Sequence, residues 1–143
     1  MRRQTITEQY FRFRAHAEQV FHMYNLNKHK IFTYTQEVIY GKQGDNEGMP
    51  RGGNVSNPTE RAAMAIATNR RLAEMEREVK AVDRVLRTTC GPRLKYIRRV
   101  LINKSMNEER ACEYFGISRR TAVNWKKDAC VRLARYLGWL DED

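Results

Sequence analysis

The stretch that decides the fold is Tyr114-Phe115-Gly116-Ile117-Ser118-Arg119-Arg120-Thr121-Ala122-Val123-Asn124-Trp125. A glycine at position 116 can end a helix, because it adopts the left-handed backbone conformation without a Cβ clash. Ser118 can cap a following helix, because its hydroxyl accepts a hydrogen bond from a free backbone N–H. The stretch therefore predicts a helix that ends at Phe115, a short turn, and a second helix that begins at Arg119.

The flanking residues extend this pattern in both directions. Asn107 is a good cap for a first helix over residues 108–115. The second helix has apolar positions at helical spacing, namely Ala122, Trp125, Ala129, Leu133 and Tyr136. We expect the small residues Cys112 and Ala129 where the two helices cross closely. This layout is typical of a helix-turn-helix, whose second helix enters the major groove of DNA.

Polar side chains on the second helix supply the chemistry that DNA recognition needs. Arginine can donate two hydrogen bonds to guanine, asparagine can pair with adenine, and hydroxyls can donate to phosphates. We therefore predict a DNA-binding set of Ser118, Arg119, Arg120, Thr121, Asn124, Lys126 and Lys127. The alternative is a pair of packed helices whose polar residues only keep the surface hydrated.

The charge of the chain favours a partner that carries phosphate. The 143 residues include 27 Lys/Arg and 17 Asp/Glu, a formal net charge of +10. From residue 93 to residue 140 there are 12 basic and 4 acidic side chains, a difference of +8. Such an excess in the segment with the helix-turn-helix pattern predicts double-stranded DNA as the partner.

Cysteines, histidines and acidic residues point to no other chemistry. Three cysteines without paired spacing, no signal sequence and no long apolar run predict a cytoplasmic protein with reduced thiols and no membrane partner. The three histidines, between His16 and His29, form no zinc pattern, and no acidic cluster has metal-ligand spacing. We therefore expect no metal, no cofactor and no enzymatic activity.

The N-terminal part is expected to be helical. Residues 5–24 have apolar residues at helical spacing, namely Ile6, Tyr10, Phe13, Ala17, Val20 and Tyr24, with Phe11 and Phe21 widening the stripe. Aromatic residues between arginines can also stack on nucleic acid, but such a stripe is more often core. After a polar break at residues 25–27, a second helix is predicted over residues 28–40, and a glycine-rich flexible linker over residues 41–56.

A long helix is expected after the linker. Asn57 and Pro58 are typical of a helix start, and no strong stop occurs before Gly91. Its apolar residues alternate spacings of three and four, from Ala65 and Thr68 through Leu72, Met75, Val79, Val82 and Leu86. This heptad seam can pair with a second copy, giving a homo-oligomer through residues 57–90, or pack on helix 5–24 of its own chain. Both alternatives stay open.

The predicted organisation is thus all-α, in four segments. Residues 1–40 form N-terminal helices, 41–56 a linker, 57–90 the long helix, and 91–143 the DNA-binding domain. Within the last segment a helix from Pro92 to Lys104 would pack on the helix-turn-helix as the third member of a trihelical unit.

The motifs resemble those of a known family. The C-terminal part looks like the helix-turn-helix of region four of bacterial sigma factors. The full layout is similar to the RinA/ArpU family of phage-encoded transcriptional regulators, with matching features at Ser56–Glu60, Gly116–Thr121, Asn124–Lys126 and Leu137–Trp139. The resemblance implies a DNA-binding activator of late phage genes, for packaging or lysis, that acts in the bacterial host cytoplasm.

Two functions follow from these observations. The first is a sequence-specific transcriptional regulator, for which contact with host RNA polymerase stays an open alternative. The second is a small terminase-like protein that recognises viral DNA during genome packaging and assembles through its helical part.

Overall fold

The computed structural model describes residues 5–44 and 58–140, and these residues form helices and short connections without any strand. The fold class is all-α, as predicted. The helices are α1 Ile6–His22, α2 Tyr24–Gly44, α3 Pro58–Arg87, α4 Pro92–Tyr96, α5 Glu108–Phe115 and α6 Arg119–Tyr136, with a π-helical segment Ile97–Ile102 directly after α4. Within these residues no helix is both long and apolar enough to span a lipid bilayer.

The chain divides into two compact units whose boundaries differ from the four predicted segments. One unit joins the described residues up to Asn25 with those from Glu78 onward, and the other is Leu26–Arg77. Helix α1 therefore belongs to the same unit as the predicted DNA-binding segment. The reason is that the apolar stripe of α1 is covered by α6, which sequence spacing alone does not reveal.

The main core of the first unit forms between α1, the end of α3, the π-helical segment and α6. Its most deeply buried members are Ala17, Val20, Phe21, Val82, Val85, Ile97, Ala129, Cys130, Val131, Leu133 and Ala134. The predicted stripe of α1 is largely confirmed, since Tyr10, Ala17, Val20 and Tyr24 are buried. Phe11 is an exception, because 63% of its surface is exposed.

A second, smaller cluster holds the α5–α6 corner together. Tyr96, Ala111 and Ala122 are fully buried there, and the half-buried residues around them are Val100, Met106, Cys112, Phe115, Ile117 and Trp125. Residues from α4 with the π-helical segment, from α5 and from α6 thus share one small cluster, while the trihelical helix-turn-helix stays a prediction. Ala129 lies instead in the main core, so Cys112 and Ala129 do not share the helix crossing as predicted.

The boundary between α1 and α2 lies earlier than predicted. Only Met23 interrupts the helices, and residues 25–27 lie inside α2, which continues to Gly44. Tertiary contacts stabilise the early start, because the Tyr24 hydroxyl donates to Asp83 and Asn25 Nδ2 donates to Asn103 Oδ1 at 2.9 Å. The rest of the predicted linker, and Asn57, the predicted cap of the long helix, lie outside the described residues.

Helix α3 ends at Arg87, three residues before the predicted limit. The hydroxyl of Thr89 donates to the Val85 carbonyl at 2.6 Å, and Arg132 of α6 donates to the hydroxyls of Thr88 and Thr89. These bonds satisfy the carbonyl of the last turn and tie it to α6.

The predicted heptad seam of α3 is divided between the two units. Val82 and Leu86 are buried in the core that contains α1, so this end of the seam packs within its own chain. Leu72 and Met75 are half-buried in the second unit, and the residues that extend the seam, Ala65 and Thr68, are exposed. Pairing with a second copy stays a prediction.

The helix predicted over residues 92–104 is present as five α-helical residues followed by the π-helical segment, and it ends at Ile102, two residues before the predicted limit. Asn103 N–H donates to the Arg98 carbonyl at 2.9 Å, a hydrogen bond across five residues rather than four. The wider turn lets Tyr96 enter the small cluster while Ile97 and Leu101 enter the main core. The segment therefore supplies apolar side chains to two cores at once.

Candidate nucleic-acid interface

The connection between α5 and α6 has the local geometry that the sequence predicts. Asn107 Oδ1 accepts from the Arg110 N–H at 2.8 Å, which caps α5. Gly116 ends α5 in the left-handed conformation, with φ of +63°. Ile117 N–H then donates to the Cys112 carbonyl at 3.0 Å, and the side chain of Ile117 packs in the small cluster.

Ser118 and Thr121 form the start of α6. Ser118 Oγ accepts from the Thr121 N–H at 3.1 Å, and the two hydroxyl oxygens are 2.9 Å apart. One hydroxyl proton is used between them, while the other stays free to donate. The pair can therefore cap α6 and still donate one hydrogen bond to a phosphate oxygen.

Arg119, Arg120 and Asn124 are exposed on the N-terminal half of α6. Within the described residues, neither arginine forms an ion pair or a hydrogen bond. Arg120 and Asn124 lie four residues apart, so their side chains share one helix face. Both side chains are therefore accessible to a partner that approaches this face of α6.

Arg119 has a more acidic environment than Arg120. It lines a cavity of about 460 Å³ at the corner between α5 and α6, with Glu108, Glu109, Cys112 and Glu113. None of these carboxylates approaches the guanidinium within ion-pair distance among the described residues. Their negative charge nevertheless lowers the positive potential around Arg119 relative to Arg120.

Lys126 and Lys127, members of the predicted DNA-binding set, contact α1 and are only partly exposed, unlike Arg119 and Arg120. Lys126 Nζ is 2.6 Å from Glu18 Oε1, and only 23% of its side chain is exposed. Burial is the largest single influence on the pKa of Lys126 and lowers it, but the hydrogen bond with Glu18 and the nearby charges of Tyr10, Glu18 and Glu108 together outweigh burial and raise the pKa. Lys127 Nζ lies 5.9 Å from the ring centre of Tyr10 and 5.8 Å from that of Phe11. The physical reason is that α1 covers this side of α6.

Aromatic contacts hold both ends of α6. Trp125 makes edge contacts with Tyr96 at 5.8 Å and with Phe115 at 6.3 Å between ring centres. After the helix, Trp139 stacks on His16 at 4.1 Å and on Phe13 at 5.7 Å. The exposed face is therefore presented by a helix that is packed at its beginning and beyond its end.

The cysteines have structural surroundings in the described part of the chain. Cys130 lies in the main core, where burial raises the pKa of its thiol to about 12. Cys112 packs in the small cluster, and Cys90 is exposed. Across residues 5–44 and 58–140, no three His, Cys, Asp or Glu side chains converge as a metal site.

Sequence reasoning missed the docking of α1 onto α6. The apolar stripe of α1 indicated that this helix needs a partner, and Trp139 entered the sequence analysis only as part of the family resemblance. Neither signal identifies the other, because the two segments are more than a hundred residues apart.

Comparison of the chain with protein families, with curated proteins and with solved structures found no match. The class that the described fold supports is an all-α protein with an exposed basic helix start. The resemblance to RinA/ArpU regulators stays a prediction that rests on the quoted motifs.

Proposed function

We propose that this protein binds double-stranded DNA through the N-terminal face of α6 and acts as a sequence-specific transcriptional regulator. The observation that carries the proposal is the placement of Arg119 and Arg120. Both are exposed in the first turn of α6, and neither has an ionic partner among the described residues. Two unpaired guanidinium groups at this position match the donors that read guanine or grip phosphate.

The electrostatics of α6 strengthen the proposal. The N-terminus of a helix carries a partial positive charge, so acidic residues stabilise its first turn and basic residues cost stability. The first turn of α5 follows this rule with Glu108 and Glu109, whereas α6 has two arginines and no acidic residue in its first turn. An approaching phosphate would relieve this repulsion and could also accept from backbone N–H groups at the helix start.

The neighbouring residues have distinct roles in this proposal. Arg120 and Asn124 read base edges, and Arg119 and the Ser118–Thr121 hydroxyl pair bind the phosphate backbone. Lys126 and Lys127 are assigned to the α1 contact instead. Activation of late phage genes is the narrower role that the sequence resemblance implies.

The first experiment measures binding of the full chain to tiled fragments of its source genome at roughly physiological salt. The test variant is Arg119→Ala/Arg120→Ala. The matched control is Arg70→Ala/Arg77→Ala, which removes the same charge from exposed positions on α3 in the other unit. We expect one fragment to bind about a thousandfold or more above the rest, with this preference lost in the test variant and kept in the control.

Two outcomes would overturn the proposal. Uniform weak binding to every fragment would make the basic face an electrostatic grip only, and would favour the packaging alternative. If the test variant and the control lose the preference for that fragment equally, net charge and not the start of α6 determines DNA binding.

A further inference from the structure

A second basic site lies away from the start of α6, where α3 meets the π-helical segment. A cavity of about 380 Å³ is lined by Tyr24, Lys80, Asp83, Leu86, Arg87 and Arg98. Three of the six residues are cationic, and they come from two separate segments. All three are exposed, and none forms an ion pair with a described residue.

The walls of the cavity are held by specific contacts. The hydroxyl of buried Tyr24 donates to Asp83, so one oxygen of the only carboxylate that lines the cavity is occupied within the protein. Asn25 Nδ2 donates to Asn103 Oδ1, which joins the start of α2 to the residue after the π-helical segment. The cavity is therefore bordered by residues that are tied together and does not depend on one flexible side chain.

Arg98 reaches the cavity from the π-helical segment. Burial and the hydrogen bond to Asp83 raise the pKa of Tyr24 to about 12, while the nearby charge of Arg98 acts in the opposite direction. The guanidinium thus lies close enough to influence the phenol electrostatically. π-Helical turns are rare and are often found at functional sites.

We propose that this cavity, named here the α3–π pocket, binds a phosphate group through Lys80, Arg87 and Arg98. Three cations outweigh one carboxylate that is already bonded to Tyr24, so the pocket attracts anions. Arginine offers paired N–H donors that match phosphate oxygens, and lysine adds a compact charge. A tetrahedral dianion fits this donor set better than a planar carboxylate with a single charge.

The phosphate can come from the DNA backbone or from a free phosphate compound. The first source rests on the proposed function, because it makes the α3–π pocket a second contact with the same duplex. The second source would make the pocket an independent ligand site.

The test is an NMR titration of the isotope-labelled full chain with inorganic phosphate, compared with sodium chloride at equal ionic strength. We expect saturating shifts at Tyr24, Arg87 and Arg98 with phosphate only. The variant Arg87→Ala/Arg98→Ala should lose the response, Lys80→Ala should weaken it, and the control Arg70→Ala/Arg77→Ala should keep it. Unchanged circular dichroism would show that each variant remains folded.

A second arm measures the salt dependence of DNA binding and separates the two sources. If the source is DNA, the slope of log affinity against log salt should be smaller in Arg87→Ala/Arg98→Ala than in the unaltered chain, by about 0.9 for each lost phosphate contact. If the variant leaves the slope unchanged while the unaltered chain still shows the phosphate-specific shifts, the pocket binds a free phosphate compound. Equal shifts in phosphate and chloride, together with an unchanged slope, would overturn the proposal. If the chain binds no DNA at all, the proposed function fails while the phosphate titration still decides the pocket.

Discussion

At the scale of single residues, Tyr96 shows how apolar packing can dominate over hydrogen bonding. Its side chain is 0% exposed and contacts the rings of Phe115 and Trp125. Its hydroxyl has no hydrogen-bond partner among the described residues. Burial raises the pKa of this phenol well above its ordinary value. The ring therefore stabilises the small cluster while the hydroxyl carries a desolvation cost.

This arrangement predicts an unusual result for Tyr96→Phe. The free energy of unfolding should stay the same or rise by up to about 1 kcal/mol, because only an unpaired buried group is removed. Tyr24→Phe is the matched control, and it should lower the unfolding free energy by about 1 kcal/mol, because it removes the bond to Asp83. Urea denaturation measures both. A clear loss of stability in Tyr96→Phe would show that the hydroxyl is paired after all.

At the scale of helices, the contact between α1 and α6 determines which face of α6 is accessible. Glu18 pairs with Lys126, and the rings of Tyr10 and Phe11 lie against Lys127. Because α1 partly buries these lysines, the basic residues of α6 that remain exposed are Arg119 and Arg120 in its first turn and Arg135 in its last turn. The helix therefore presents a narrower basic surface than its sequence indicates.

A double-mutant cycle tests the structural role of this contact. Glu18→Ala and Lys126→Ala should each destabilise the fold, with a coupling energy of about 1 kcal/mol in urea denaturation, because the pair is partly shielded from solvent. Lys126→Ala should leave the salt dependence of DNA binding unchanged. A slope reduced by about one phosphate contact would instead place Lys126 at the DNA.

At the scale of the whole molecule, buried weak acids determine the response to alkaline pH. The pKa values of Tyr24 and Cys130 are raised to about 12, and those of Tyr10 and Tyr96 are also raised, chiefly by burial. In each case the unfolded chain releases its proton at lower pH than the folded chain does. Their contribution to stability is therefore complete below the unfolded values and is lost as pH rises towards the folded values.

We expect the melting temperature to be insensitive to the titration of these groups from pH 7 to about 9 and to fall between about 9 and 12. Tyr136 opposes the trend weakly, because its bond with Thr88 lowers its pKa. Thermal unfolding followed by circular dichroism across this range measures the effect. In Cys130→Ala the decline should begin nearer pH 10, where the remaining groups, all tyrosines, titrate. A melting temperature that stays constant to pH 12 would contradict this explanation.

Local sequence signals predicted many of the helices and their ends, but little of how the helices pack on one another. The caps at Asn107 and Ser118 and the end at Gly116 are correct, since each depends on hydrogen bonds or a backbone conformation within a few residues. The break at residues 25–27 is wrong, and the helix predicted over 92–104 contains a π-helical segment and ends at Ile102, because contacts with distant segments determine those backbones.

The predicted site residues also divide into those that the sequence places correctly and those whose surroundings depend on distant segments. Arg119, Arg120 and Asn124 are exposed, whereas Lys126 and Lys127 are partly buried against a helix from the other end of the chain. The α3–π pocket left no signal in the sequence, because Lys80 and Arg87 precede Arg98 by a helix end and a turn.

By itself, the sequence determined the all-α class, the helix caps and glycine turn between α5 and α6, and the net positive charge. These depend on side-chain spacing, capping groups and composition, which are local or additive properties. Only the tertiary structure decided which helix covers α6, where the π-helical turn forms and which cations share a pocket. Those outcomes depend on apolar surfaces finding one another across long stretches of chain, and the burial of one surface determines which others stay exposed.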